Sequence, residues 1–420
     1  MSPITLVLVS IAAVSLVLTA VFSGAALAVL GRRRDPRRGP TPPISVLKPL
    51  KGTDPDLFDN LAAFARQAYP DFELVLGTAD PADEALDVAR RLAEEFPAVA
   101  IRVVSGARDL GLNPKVSNLA HLTAAARHEL ILVSDADVRP PAGYLRALAA
   151  ELADPRVGLV SSVLAGVGES GPGAALENLH LGTFVAASVC SADLVAGRPC
   201  VVGKSMLIRR GILDRLGGWR AVRNVLAEDY VLGRAFHRAG YRVALSPFAL
   251  PVVNRHRPVR SFLSRHLRWG QMRARIAPAA YLGESLLNPI FWGMLAAVGL
   301  WRDGLEASAL ACVLGIGAVK ISSDAVVLER LRGRAGLWRL LAWTPVKDLL
   351  VAGLWPAAAL RRTVGWRGTS LRIGRGSALT PIGTPIGTPI GTPIAAPNAH
   401  PRAARLRRGL SALRRLREAA

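Results

Sequence analysis

Cysteine, lysine, aromatic rings and acidic side chains are all scarce in this chain of 420 residues. The three cysteines, Cys190, Cys200 and Cys312, show neither CxxC spacing nor an even count. That argues against a disulfide scaffold and a thiolate zinc site, and fits a reducing compartment. Asp and Glu total 31 against 53 Lys and Arg, a net charge of +22. The excess is uneven: residues 361–420 carry twelve Arg against the single acid Glu418, so half of it lies in the last sixty positions. The remaining residues carry only +11, which excludes a DNA-binding core and leaves no role for nucleic acid. With 51% hydrophobic residues the chain is too apolar for disorder, and it is long enough for a domain plus membrane spans.

What is abundant is uncharged apolar sequence. Residues 4–30 contain no charge, and 27 residues of helix exceed the ~30 Å hydrocarbon layer. Arg32, Arg33, Arg34, Arg37 and Arg38 follow at once, so residues 1–31 read as an anchor rather than a cleaved leader, with the chain after it in the cytoplasm. Further apolar stretches at residues 285–301, 305–328 and 337–360 are interrupted by Pro289, by Lys320 with Asp324, and by Pro345, Lys347 and Asp348. Residues 284–361 are therefore expected to form transmembrane or re-entrant helices, making a multi-pass membrane protein. Lys320 and Asp324, four apart, would share a helix face and neutralise each other. Residues 362–400, with their Thr-Pro-Ile-Gly repeats, read as a low-complexity linker. Residues 401–420, where leucines recur among arginines, read as a basic amphipathic tail or a disordered one.

Between residues 43 and 277 the pattern changes. Short β-rich runs at residues 44–47, 72–76, 101–104, 130–133 and 157–163 alternate with helical stretches at 56–68, 83–95, 114–127 and 142–152. Such alternation predicts a mostly parallel, Rossmann-like α/β sheet whose ligands gather at the carboxyl ends of its strands. Asp80 follows the second run. Asp135 and Asp137 follow the fourth, and carboxylates two apart leaving a buried strand can hold Mg²⁺ or Mn²⁺ against a diphosphate. Lys115 stands near a helix start, where it could meet phosphate. Asp229 opens a helical stretch. Arg265 and Arg268 share a helix face beside the indole of Trp269, a charge clamp with an apolar wall. His256 and His266 carry no motif and are assigned no role.

Taken in order, these pieces resemble the ceramide glucosyltransferases, the lipid-glycosylating branch of the inverting GT-A enzymes, over the chain from its first apolar segment to about Gly368. The matching residues are Ser45-Val-Leu-Lys-Pro-Leu-Lys-Gly52, Asp80, Asn113-Pro-Lys115 with Asn118, Asp135, Gly203-Lys-Ser205, Ala227-Glu-Asp229-Tyr230 and Arg265-x-x-Arg268-Trp269. The resemblance implies a cytosolic GT-A domain over residues 43–277 and transfer of a hexose from a UDP-sugar to a lipid hydroxyl, with inversion. It implies that Lys48, Asp80, Lys115, Asp135, Arg265, Arg268 and Trp269 hold the donor, that Asp135 and Asp137 hold a divalent metal, and that Asp229 is the general base. Where animal members carry Asp-Ser-Gly this chain reads Asp135-Ala-Asp137, and where they carry His-Pro after Gly182-Thr183 it reads Phe184-Val185. The Arg- and Ala-rich composition suits a high-GC bacterial source, in which a hopanoid polyol is an alternative acceptor to ceramide. A processive polysaccharide synthase and an inactive membrane scaffold are the remaining alternatives.

Overall fold

The computed structural model describes residues 1–32, 39–197, 200–366 and 369–382. Arg33, Arg34, Arg37 and Arg38, most of the Thr-Pro-Ile-Gly repeats and the basic tail lie outside the described residues.

Five strands start where the β-rich runs begin or one residue before: β1 (Ile44–Pro49), β2 (Phe72–Gly77), β3 (Ala100–Val104), β4 (Leu130–Ser134) and β5 (Val157–Val167). Two more, β6 (Ser205–Arg209) and β7 (Arg242–Val253), complete a seven-stranded sheet of order β3-β2-β1-β4-β6-β5-β7. Strands β1 to β4 pair in parallel, β6 runs antiparallel between β4 and β5, and β7 pairs in parallel with β5 at the edge. The result is a mixed α/β, GT-A-like fold with a mostly parallel sheet. Leu74, Leu132 and Leu207 point to one layer of buried residues, while Val75, Val133 and Met206 point to the other, as the period of two requires. Both faces are therefore covered, which is why these strands read as continuous apolar runs.

The helix Pro3–Leu30 and the helix Glu306–Arg332, with mean hydropathies of 2.6 and 1.8, are long and apolar enough to cross a membrane. Among the described residues, one helix beyond the sheet domain, rather than several, meets that length and hydropathy. The stretch at 337–360 breaks into Leu337–Leu341 and Thr344–Leu360, the second carrying Pro356 inside, and Pro289–Arg302 spans 14 residues. Ala12, Ile290, Ala296 and Ile316 pack these helices together, and Ala26 and Val29 at the foot of the first pack on Val163 and Ala165 of β5.

Residues 362–400 are not a linker throughout. Strands β8 (Thr363–Trp366), β9 (Thr369–Ile373) and β10 (Leu379–Pro381) form an antiparallel sheet in their first part. Val364, Leu371, Ile373 and Leu379 bury themselves against Leu226, Leu112 and Met272. Alternating apolar residues before the repeats supply that buried face, and the Thr-Pro-Ile-Gly composition masks it.

Candidate active site

Strand β4 delivers Asp135 and Asp137 to the carboxyl edge of the parallel strands. Asp137 is fixed there by its carbonyl, which accepts from Val253 N–H at the end of β7 (2.8 Å). Lys204, just before β6, places its Nζ 2.7 Å from Asp137 Oδ1 and 3.3 Å from Asp135 Oδ2. Arg257 adds a second cation 3.7 Å from Asp137. Both carboxylates thus converge on one positively charged position.

Lys115 is positioned by a helix start. Asn113 accepts from Val116 N–H (3.1 Å) as N-cap and Pro114 occupies the first turn. The Lys115 ammonium lies 3.0 Å from Asp135 and 3.2 Å from Glu228. Burial opposes ionisation of Asp135, yet Lys115 and Lys204 hold its carboxyl well below the usual carboxylate range. Burial likewise opposes the charge on Lys115, and Asp135, Glu228 and Asp229 outweigh it, so the lysine stays protonated.

Asp229 stands in the first turn of the helix Glu228–Arg238. Its Oδ2 accepts from Gly203 N–H (2.6 Å) and its Oδ1 from Tyr230 N–H (2.7 Å). A Cβ at position 203 would sit 2.9 Å from Asp229 Oδ2, so the close approach requires glycine. Burial and the neighbouring Glu228 charge push the Asp229 carboxyl up to about 6, against the pull of Lys115. A carboxylate poised near neutrality has the proton affinity that a general base needs.

The other residues singled out in the sequence are distributed as follows. Asp80 is exposed at the end of β2, where its carboxylate caps Ala82 N–H (2.9 Å). It shares the strand edge with Asp135, but no hydrogen bond or ion pair joins the two. Lys48 lies beneath the site, fully buried, donating to the Asp135 carbonyl (2.6 Å) over the Phe64 ring. Burial pushes its ammonium down to about 7. The helix Val259–Ile276 carries Arg265, Arg268 and Trp269. Arg265 donates to Glu177 (3.1 Å) and feels Asp137 and Asp135, Arg268 is half-buried, and Trp269 meets His266 edge-on at 5.3 Å.

Lys204, Glu228, Glu177 and Arg257 complete the site, and the sequence assigned none of them a role. Lys204 and Glu228 stood inside quoted motifs, so adjacency was the available signal. Glu177 and Arg257 carried none.

The profile of glycosyl transferase family 21 matches residues 4–379. The chain belongs to glycosyl transferase family 21. Among curated relatives, it is 30% identical over 260 residues to ceramide glucosyltransferase 1 of Caenorhabditis elegans, covering 62% of this chain and 56% of that protein. To ceramide glucosyltransferase 3 of the same organism it is 27% identical over 350 residues, 81% of this chain and 74% of the relative. Among solved structures, a mannosyltransferase from Pyrobaculum calidifontis in complex with GDP-Man and Mn²⁺ is 21% identical with a TM-score of 0.45, covering 82% of this chain and 99% of its own.

The family-21 chain also holds a cavity of about 380 Å³ on the far side of the site. Its walls come from Pro3–Leu30, Val259–Ile276, Pro289–Arg302, Glu306–Arg332, Thr344–Leu360 and a helical run interrupted at Leu181–Val185 by a wide π-turn. Phe22, Phe291, Trp292 and Trp355 make much of the lining apolar. Val259–Ile276 joins the two regions: Arg265 faces the carboxylates and Arg273 lines the cavity. Cys200 lies between them, within the electrostatic reach of Asp229, Arg273 and Glu284.

Proposed function

We propose that this family-21 chain is a membrane-bound inverting hexosyltransferase. It moves glucose or another hexose from a UDP-sugar to the hydroxyl of a ceramide-like lipid, with its catalytic domain on the cytoplasmic side. One observation carries the reading: a single helix, Val259–Ile276, brings Arg265 within electrostatic reach of Asp135 and Asp137 and lines an apolar cavity flanked by the two helices able to cross a membrane. The Asp229 carboxylate takes the proton of the lipid hydroxyl as its oxygen attacks the anomeric carbon, and the bond to the UDP oxygen breaks on the opposite face. Lys115 and Lys204 stabilise the charge left on the diphosphate, and Arg265, Arg268 and Trp269 close over it.

Asp135 and Asp137 fit a hard divalent cation, since their oxygens converge on one cationic position at Lys204 Nζ. Bound Mg²⁺ or Mn²⁺ would supply charge neutralisation of the donor diphosphate. Asp80 is proposed to meet the nucleotide, from the same edge of the sheet.

The reading is tested with membranes containing the full chain, labelled UDP-glucose and a ceramide, followed by lipid extraction and assignment of the anomer. A singly glycosylated β-product is expected. A polymer, an α-product or label confined to water would overturn it.

A further inference from the structure

The π-turn at Leu181–Val185 sets His180, Thr183 and Phe184 on the cavity wall, beside four charged side chains. Lys320 lies 2.5 Å from Asp324 Oδ1, and Lys347 lies 2.7 Å from Asp348 Oδ1 and 3.4 Å from Thr183 Oγ1. The second oxygen of Asp348 lies 3.9 Å from Lys320, an ion pair without a hydrogen bond. Asp324 Oδ2, Asp348 Oδ2 and both ring nitrogens of His180 are buried without a hydrogen-bond partner, and all three residues line the cavity. Buried polar groups in folded proteins are nearly always hydrogen-bonded, so four such atoms on one wall mark a place where a partner is missing.

The chemistry of the wall selects the partner. Two lysines balance two aspartates, and burial keeps His180 neutral with a pKa well below the usual histidine value. A net-neutral wall gives no purchase to a phosphate or an ammonium group. Two carboxylate oxygens only accept, and a neutral imidazole accepts at one nitrogen and donates at the other. The complement is a neutral head bearing at least two O–H or N–H donors on an apolar body that fits among Phe22, Phe291, Trp292 and Trp355.

We propose that His180, Asp324 and Asp348 form a head-group subsite that selects acceptor lipids carrying two or more hydrogen-bond donors, holding the donors that do not react. This rests on the reading of the acceptor as a lipid hydroxyl.

The experiment uses the full chain in nanodiscs without UDP-sugar. Energy transfer from Trp292 and Trp355 reports binding of two fluorescent lipids: a short-chain NBD-labelled ceramide, with two hydroxyls and an amide N–H, and an NBD-labelled long-chain alcohol with one hydroxyl. The wild type is expected to prefer the ceramide at least about tenfold. His180→Phe keeps the ring packing, since His180 makes no hydrogen bond and stacks on Phe184 at 4.9 Å, so the variant folds. It and Asp324→Asn should each lower the preference about tenfold, the effect of roughly one lost hydrogen bond, with UDP binding unchanged. Equal binding of the two lipids by the wild type, or an undiminished preference in both variants, overturns the subsite. Added UDP-glucose should then glycosylate the bound ceramide; a bound probe that stays unmodified would make it a resident lipid and overturn the acceptor assignment. Glycosylation without any binding preference would reject the subsite and leave the proposed transfer standing.

Discussion

The Ser377 hydroxyl accepts from the Ala227 amide (3.2 Å), two residues before the Asp229 carboxylate. Ser377 is fully buried and is the one non-glycine residue with a positive φ among the described residues, +60°. Its carbonyl takes Leu226 N–H (3.0 Å), and Leu379 N–H returns to the Asn224 carbonyl (2.7 Å). From the other side Asn113 Nδ2 donates to the Val225 carbonyl (2.7 Å). The segment that presents Asp229 is held between the start of the Lys115 helix and the small C-terminal sheet.

Truncation therefore has two distinct outcomes. Ending the chain after Ile382 keeps β8 to β10 and should leave sugar transfer intact. Ending it after Arg361 removes Ser377 and exposes Leu226, and transfer should fall by two orders of magnitude or more with UDP binding reduced. Equal activity of the two truncated chains in a membrane assay would show that the sheet does not position Asp229.

Replacing Asp229 with Asn removes the proposed proton acceptor and retains most of the side-chain volume. Turnover should drop by about the 10² to 10⁴ that general-base catalysis supplies, with UDP-glucose binding preserved in titration calorimetry. In the wild type kcat/KM should fall as pH drops below about 6, where the carboxyl takes its proton. A flat profile between pH 5 and 8 would remove Asp229 from that role.

The same group bears on stability. Its carboxyl is held near 6, above the usual carboxylate value, so the folded protein binds a proton there more tightly than the unfolded chain. That contribution is present below pH 4 and is lost as pH rises through 6. The melting temperature of Asp229→Asn relative to wild type should accordingly increase from pH 4.5 to pH 7.5, read by scanning fluorimetry; a constant difference would contradict the raised affinity.

Lys204 competes with any cation for Asp135 and Asp137. Lys204→Met should raise Mn²⁺ affinity about tenfold, measured by the electron paramagnetic resonance signal of the free ion, since a charge within hydrogen-bond distance of both carboxylates is removed. Asp135→Ala should abolish that binding. Unchanged Mn²⁺ affinity in both variants would place the ion elsewhere.

The sheet was legible where its strands are buried on both faces. Strands β1 to β5 are short apolar runs between helical stretches, and each begins within one residue of the position the pattern predicts. Strand β7 was hidden by Pro247, which falls where its pairing with β5 shifts register, and by Pro251, near the end of a strand at the sheet edge. Strand β6 is five residues with an arginine at its end, inserted antiparallel where alternation predicts nothing. In the site, Asp135, Asp137, Lys115 and Asp229 stood at strand ends or helix starts and were visible for that reason. His180, Glu177 and Ser377 are brought in by tertiary packing from segments without local pattern, so only coordinates reveal them.

The helix Val259–Ile276 has one further consequence. Arg265 and Arg273 are eight residues apart on a rigid rod, a rise of about 12 Å. In the proposed transfer that span would act as a ruler between the carboxylate cluster and the apolar cavity. If the proposed transfer holds, an acceptor whose reactive oxygen sits much farther from its hydrocarbon than the rod allows would overshoot the anomeric carbon, and the chain would be a poor extender of its own product.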